Sequence, residues 1–278
     1  VAVILSMVVF GAAGTASMRP ARSEGTPVAL PVGCPVTQPN GQQPPPEASV
    51  FGRGNGDYGA DASRIKVLHP GADLSLFPFG TAPREAASGR PLRLLFVGGD
   101  FERKGGDLLL HLLAGPLAGR VELDVVSNAT IPATAGMTQH RKVGPNSPEL
   151  LALYRRADAF VLPTRADCLA VVMGEAMAAG LPIITTRVGA HAEAVRDGET
   201  GYLINFGDIA ALQDRIERYI ASPGLAVTMG QKSRAFGEER FDARKNTDAI
   251  GDMLIEAAGR GQATAGQAED QAHRGAVA

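Results

Sequence analysis

Two carboxylates, Asp167 and Glu175, lie eight positions apart in a stretch of the chain that is otherwise apolar. Glu175 is the only charged residue between Asp167 and Arg187. Burial of an unpartnered carboxylate is costly, so a buried Glu175 needs a partner from the chain or from a ligand. Such a carboxylate suits acceptance of hydrogen bonds from two ligand hydroxyls, as in recognition of a nucleotide ribose. The pattern leaves open a second interpretation, in which Glu175 lies idle on an exposed helix stripe.

A glycine-rich segment after the apolar run 92–97 has the composition of a phosphate site. Gly98 and Gly99 follow that run, and Arg103 and Lys104 come just before a helical pattern. Glycines let backbone amides approach an anion, and a helix start carries roughly half a positive charge. The spacing matches neither the P-loop nor the dinucleotide-binding fingerprint. A plain strand-to-helix turn with solvated basic residues is the alternative.

The helix that carries Glu175 offers a second candidate anion site at its start. The backbone amides there belong to Leu169, Ala170 and Val171. Asp167 would either cap this helix or face a ligand at its mouth. Two such helix starts and an internal acid together indicate a nucleotide diphosphate. The segment 189–193, which includes His191, would complete the rim or simply lead into another helix.

The composition describes a chain with a sizeable core and no excess of positive charge. Of 278 residues, 45% are hydrophobic, and the net charge is -2, with a pI near 6.2. Nucleic acid is therefore not an expected partner. Two cysteines, Cys34 and Cys168, and five histidines without ligand spacing predict neither a metal site nor a disulfide framework, which favours a reducing compartment.

From Leu92 onward the hydrophobic pattern alternates between strands and helices. Strands are predicted at 64–69, 92–97, 121–126, 141–143, 159–162, 182–186 and 201–204. Helices are predicted at 105–117, 148–157, 169–179, 209–221, 225–236 and 243–258. Nearly continuous apolar strands between helices indicate a parallel sheet covered on both faces, and the right-handed crossover rule makes it doubly wound. Ligands then bind at the carboxyl ends of the strands.

The chain divides into three predicted regions. Residues 1–56 combine an apolar start with a Pro- and Gly-rich linker expected to be mostly disordered, 57–258 form the α/β domain, and 259–278 form a disordered tail. The first 16 residues fit a clipped signal peptide, a truncated membrane anchor or, as we prefer, a strand of a larger domain. A cytoplasmic location, with or without membrane association, is expected.

Taken together, these residues resemble retaining glycosyltransferases of the GT-B type, a family that includes many bacterial mannosyl- and glucosyltransferases. The family hallmark is an acid, seven residues, a Glu and then Ala-Met-Ala-Ala-Gly, which this chain has from Asp167 to Gly180. Further matches lie at 67–73, 98–105, 156–164, 188–193 and 197–203. The resemblance covers about residues 58–258 and implies a Rossmann-like doubly wound sheet, the C-terminal half of a GT-B fold, with the N-terminal domain largely missing.

The resemblance implies a role for each matching position. Glu175 would bind the donor ribose, Asp167 would contact the transferred sugar, and Lys104 would neutralise the departing diphosphate. The backbone near Val143 and Gly144 would receive the base. The implied donor-binding set is Gly98, Gly99, Arg103, Lys104, Val143, Gly144, Asp167, Cys168, Leu169, Ala170, Val171 and Glu175, with Asp167 and Lys104 as the catalytic pair. It implies no metal and no cofactor besides the nucleotide-diphosphate sugar.

The chain departs from the family pattern at several positions. Many members have Glu at the position of Asp167, Arg at the position of Gly99 and Phe-Gly at 169–170. The leading interpretation is a retaining glycosyltransferase that uses a glycan, lipid or small-molecule acceptor and works with a partner N-terminal domain. The alternatives are a truncated, catalytically silent nucleotide-sugar-binding module and an unrelated phosphate-ester-binding domain.

Overall fold

The computed structural model describes residues 2–5, 65–82 and 84–256. Its main feature is a six-stranded sheet in which every neighbouring pair of strands is parallel. The strands are β3 (Leu92–Val97), β4 (Val121–Val126), β5 (Met137–His140), β6 (Ala159–Leu162), β7 (Ile183–Thr186) and β8 (Gly201–Ile204). A separate two-stranded parallel sheet pairs β1 (Ala2–Leu5) with β2 (Ile65–Leu68). The predicted doubly wound α/β fold is confirmed, and the expected disorder elsewhere in 1–56 and in 259–278 lies outside the described residues.

Helices cover the sheet on both faces and account for its deep burial. They are α1 (Gly106–Ala114), α2 (Pro148–Arg156), α3 (Val171–Ala178), α4 (His191–Ala194), α5 (Ile209–Ala221), α6 (Pro223–Arg240) and α7 (243–256). Every residue of β6, β7 and β8 is buried, as expected for strands packed on both faces. Ser147 caps α2, its hydroxyl accepting from the Leu150 amide at 3.2 Å as predicted. In the described part of the chain, no helix is long and apolar enough to cross a membrane.

The predicted strand at 141–143 is wrong, because the strand lies immediately before that segment, at Met137–His140. β5 lies at the edge of the sheet and none of its residues is buried, so it lacks the apolar signature of the other strands. Lys142 adopts a positive φ of 57°, and its amide donates to Asn128 Oδ1 at 2.7 Å. The segment therefore turns away from the sheet.

Four predicted helices have different ends in the structure, and α2 differs least, ending at Arg156 rather than 157. α1 ends at Ala114 rather than 117, and α3 begins at Val171 rather than 169. α6 extends to both sides of the predicted 225–236, because Pro223 is favourable in the first helical turn. Gly180 follows α3 with a φ of 70°, a conformation that glycine adopts without strain.

The strand order β5-β4-β3-β6-β7-β8 reverses direction between β3 and β6. The chain winds outward from β3 through β4 to β5, and then returns to the centre to build β6, β7 and β8. The chain consequently leaves β3 and β6 toward opposite faces of the sheet, and we name the place where their loops meet at the carboxyl edge the crevice. This topological switch point is the usual ligand site of doubly wound sheets.

Arg84 ties together the C-terminal ends of α2 and α3, the helices before and after β6. Its guanidinium donates to the carbonyls of Tyr154 at 3.0 Å, Arg155 at 2.7 Å, Ala157 at 2.7 Å and Ala179 at 2.6 Å. Terminal helix carbonyls have no partner within their helix, and a cation there also complements the helix dipole. Burial lowers the pKa of Arg84 to about 10, so it remains charged at neutral pH.

We expect Arg84→Met to lower the free energy of unfolding by about 3 kcal/mol, because it leaves several buried carbonyls without a donor. Urea unfolding followed by circular dichroism measures this loss. Arg218→Met is the matched control, since Arg218 is exposed and pairs with Asp214 on the surface. Equal unfolding midpoints for the two variants would contradict the clamping role of Arg84.

Candidate functional site

The loops after β3 and β6 are in direct contact at the switch point. Gly105 lies at a φ of 80°, and a Cβ there would stand 2.0 Å from the Pro163 carbonyl oxygen. Only glycine therefore permits this approach. The Arg103 carbonyl accepts from the Thr164 hydroxyl at 3.1 Å and from the Arg165 amide at 2.8 Å. The two candidate phosphate segments thus form one continuous surface.

Arg165 fastens the β6 loop to the start of α1. Its guanidinium makes a two-pronged contact with Asp107, at 2.7 Å to Oδ1 and 2.6 Å to Oδ2. This contact holds the pKa of Asp107 below its ordinary value. Planar guanidinium–carboxylate pairs restrict geometry more than a single hydrogen bond, so the pair fixes the spacing of the two loops.

Lys104 and Asp167 form an ion pair across the switch point, between Lys104 Nζ and Asp167 Oδ2. Their side chains are only 13% and 16% exposed, so the pair is poorly screened by solvent. Asp167 Oδ1 accepts from the Cys168 amide at 3.0 Å. Asp167 does not cap α3, whose N-cap residue is Ala170. The two candidate catalytic residues are therefore brought together, with Asp167 facing the mouth of the crevice.

Of the remaining candidate residues in the β3 loop, one is open to solvent and two contact other residues of the chain. Gly99 is exposed, and a Cβ there would meet no atom within 4 Å. Gly98 lies against Lys104, since a Cβ there would be 3.1 Å from Lys104 Cγ. Arg103 is held by its own loop, donating to Asp100 Oδ2 at 3.0 Å and to the Ala166 carbonyl at 2.6 Å. A ligand phosphate would have to draw Arg103 away from these partners.

The start of α3 lies on the same surface. Leu169 and Ala170 are buried, whereas Val171 is 44% exposed. No side chain among the described residues caps this helix, so the amides of its first turn have no side-chain acceptor. The arrangement is suited to an anionic ligand.

Cys168 is disulfide-bonded in the structure. The expectation that the two cysteines form no disulfide is therefore wrong for Cys168, because sequence spacing does not reveal which side chains meet in space. The cysteine content accordingly gives no support to a reducing compartment. Within the described residues, no group of three His, Cys, Asp or Glu side chains is arranged to hold a metal ion.

Glu175 does not lie on an idle helix stripe. The buried Tyr154 hydroxyl donates to Glu175 Oε2 at 2.7 Å. Burial raises the pKa of Glu175, and the Tyr154 hydrogen bond opposes that rise by favouring the ionised form. Tyr154 is the only described residue that donates to this carboxylate. Oε1 thus has no donor from the described chain and remains available as an acceptor.

Tyr154 is a residue that the motifs did not identify. It lies on α2, twenty-one positions before Glu175, so no short motif joins the two. The available signal was chemical, because a tyrosine on the buried face of a helix needs a hydrogen-bond partner for its hydroxyl.

Val143 and Gly144 lie in the loop after β5, on the carboxyl edge of the sheet that also carries the other candidates. Val143 is partly buried against the core. A Cβ on Gly144 would meet no atom within 4 Å, so its backbone is open to a planar group. β5 is two strands from β3, which separates this position from Lys104 along the edge.

We expect Tyr154→Phe to raise the pKa of Glu175 further, because the substitution removes the donor that stabilises the carboxylate. A pH titration of the Glu175 side-chain carboxyl by carbon-13 NMR measures the shift. Tyr219→Phe is the matched control, since Tyr219 is also buried but its hydroxyl contacts Met229 Sδ at 3.4 Å. A Glu175 pKa unchanged by Tyr154→Phe would contradict the assigned hydrogen bond.

Fold and site together define a doubly wound α/β domain with a cluster of charged and polar side chains at its switch point. Residues 91–222 match the family model described as "Glycosyl transferases group 1". This segment is therefore a glycosyl transferases group 1 domain, and it contains every candidate site residue named above.

Individual relatives agree with this assignment. The chain is 32% identical over 214 residues to a D-inositol 3-phosphate glycosyltransferase from Arthrobacter sp., covering 67% of this chain and 50% of the relative. It is 29% identical over 203 residues to the lipopolysaccharide core biosynthesis mannosyltransferase LpcC of Rhizobium leguminosarum, covering 66% of this chain and 58% of the relative. The chain thus spans about half the length of the curated relatives it matches.

Solved structures share the fold. Sucrose-phosphate synthase from Thermosynechococcus elongatus aligns with a TM-score of 0.59 at 24% identity, over 70% of this chain and 53% of that one. Anabaena HepE in complex with UDP and glucose aligns with a TM-score of 0.61 at 18% identity, over 74% and 61%. The likeness shows that the domain shares the Rossmann-like α/β fold of the aligned part of these proteins.

Proposed function

We propose that the chain binds a nucleoside diphosphate sugar at the switch point and transfers the sugar to an acceptor with retention of configuration. Two observations carry the proposal: the Lys104–Asp167 ion pair between the loops after β3 and β6, and the Tyr154–Glu175 hydrogen bond between α2 and α3. The diphosphate needs a cation and backbone amides, which Lys104 and the start of α3 can supply, and the ribose needs a hydroxyl acceptor, which Glu175 can supply.

Each group then has a separate task in the transfer. Glu175 accepts from the ribose hydroxyls through the oxygen that Tyr154 leaves without a donor. Lys104 and the amides at the start of α3 stabilise the diphosphate as it departs. Asp167 contacts the sugar, whose transition state carries positive charge, while the Val143–Gly144 backbone receives the base. The acceptor, a glycan, lipid or small molecule, enters from the side of a second domain that closes over the crevice.

A second candidate function is a silent nucleotide-sugar-binding module. The two functions share the donor site and differ in whether transfer follows. Transfer of labelled sugar to water or acceptor by the chain would exclude the silent module, and binding without turnover would support it.

We expect calorimetric titration to show binding of one of UDP-glucose, GDP-mannose or ADP-glucose. In that titration Glu175→Ala should weaken binding by about 100-fold or more, because two charge-assisted hydrogen bonds to the ribose are lost. Glu122→Ala is the control, since Glu122 is half exposed and pairs with Arg93. A folded chain that binds none of the three ligands would refute the proposed function. Unchanged affinity of Glu175→Ala would remove Glu175 from the site.

Asp167→Asn should affect the affinities for two ligands differently. It releases Lys104 from its ion pair, so the affinity for UDP without a sugar should rise several-fold. The affinity for UDP-glucose should rise less or fall, because the sugar loses a charged contact. If the wild-type chain binds GDP-mannose or ADP-glucose rather than UDP-glucose, this comparison uses that sugar nucleotide with GDP or ADP. Asp214→Asn, which affects a surface pair on α5, is the control. Equal effects on both ligands would contradict the competition between Asp167 and phosphate.

A further inference from the structure

His191 is a buried polar group behind the crevice for which the proposed function has no task so far. It begins α4, directly after the loop from β7, and its side chain is completely buried. The Ala190 amide donates to the Cys168 carbonyl at 2.7 Å. Gly189, at a φ of 51°, packs so closely that a Cβ there would lie 2.2 Å from the Asp167 carbonyl oxygen. The segment that carries His191 is therefore packed against the segment that carries Asp167.

The hydrogen bonds of Thr185 fix the tautomer of His191. The Thr185 hydroxyl lies 2.8 Å from the Leu162 carbonyl, which can only accept, so the hydroxyl donates its single proton there. The same hydroxyl oxygen lies 2.9 Å from His191 Nδ1 and must accept from it. His191 therefore carries a proton on Nδ1, and when the ring is neutral Nε2 holds a free lone pair.

That lone pair has no donor. His191 Nε2 is buried and makes no hydrogen bond with any described residue. Burial lowers the pKa of His191 to about 4, so the ring is neutral at neutral pH and Nε2 is an acceptor. The charges that act on the ring are those of Asp167 and Lys104, the ion pair at the mouth of the crevice. A buried acceptor without a donor costs free energy. A ligand that donates a hydrogen bond to Nε2 would remove that cost.

The chemistry of the sugar nucleotide decides which of its groups can donate a hydrogen bond to His191 Nε2. Diphosphate oxygens ionised at neutral pH offer no proton, so only a hydroxyl or a base N–H can donate to Nε2. The base position at Val143 and Gly144 follows β5, four strand spacings from β7. That separation is about 19 Å, since neighbouring strands are about 4.8 Å apart. In the proposed function the ribose hydroxyls donate to Glu175, so the hydroxyls of the transferred sugar, near Asp167, are the suitable donors.

We propose that His191 Nε2 accepts a hydrogen bond from a hydroxyl of the transferred sugar and thereby contributes to selection of the sugar over the bare nucleoside diphosphate. The proposal rests on the proposed function and adds a specificity residue to it. Because the ring is covered in this structure, sugar binding includes a small parting of the loops at 167–168 and 188–191. Separation of Lys104 from Asp167 by the diphosphate would provide that movement.

His191→Asn tests the proposal without removing the structural contact. The asparagine amide nitrogen occupies a position like that of Nδ1 and keeps the donation to Thr185, whereas nothing replaces Nε2. We expect calorimetry to show affinity for the sugar nucleotide, whichever of UDP-glucose, GDP-mannose or ADP-glucose binds the wild type, reduced by about fivefold to tenfold. Affinity for the corresponding UDP, GDP or ADP should stay within about twofold, because that ligand lacks the sugar.

The outcomes separate this inference from the proposed function. If no sugar nucleotide binds the wild-type chain, both the inference on His191 and the proposed function are refuted. If the sugar nucleotide binds His191→Asn as tightly as it binds the wild type, only the inference is overturned. An equal loss for the sugar nucleotide and the bare diphosphate also overturns it, because that result marks a structural role. Nitrogen-15 NMR provides an independent readout: the Nε2 resonance should shift on addition of the sugar nucleotide and hardly move with the bare diphosphate.

Discussion

The parallel pairing of β3 with β6 is the constraint on which the candidate site depends. It places side by side two strands that are more than sixty residues apart in the chain, with Leu94 opposite Ala159 and Leu95 opposite Phe160. The loops that leave these strands must then share one crevice, and Gly105 allows them to touch. Lys104 and Asp167, each on one loop, meet as a consequence of this pairing. A change in strand order would leave both side chains present and the site absent.

A second constraint is the burial of Glu175 beside Tyr154. A carboxylate in an apolar helix would tend to protonate, and a protonated Glu175 would lose acceptor capacity toward ribose hydroxyls. The Tyr154 hydroxyl counteracts this tendency with a hydrogen bond to one oxygen and leaves the other without a donor from the described residues. Arg84, which binds the C-terminal ends of both helices, keeps α2 and α3 in the relation that this contact requires. The capacity of Glu175 to accept hydrogen bonds thus depends on the packing of α2 against α3 as well as on α3 itself.

Local signals explain what could be predicted from the sequence. β3, β4, β6 and β8 are apolar runs whose ends are marked in the sequence, and α5 is predicted to the residue because its amphipathic pattern is regular. The polar edge strand β5 carries no such signal, and the prediction placed it several residues too late. Asp167, Glu175 and Lys104 could be named because their motifs are short. Tyr154 escaped because only tertiary packing brings it near Glu175, and no sequence spacing indicated the disulfide of Cys168.

The charge balance of the crevice connects these features. With Lys104 paired to Asp167 and Arg103 held by Asp100, the cations of the β3 loop are already neutralised inside the chain. A diphosphate has to compete with carboxylates for both, so a bare nucleoside diphosphate gains less from this site than its charge suggests. In the proposed function, a ligand that also carries a sugar would bring hydroxyls for the displaced Asp167 and for His191 Nε2. The internal ion pairs would then weaken the retention of the bare diphosphate relative to the sugar nucleotide, which would favour release after transfer.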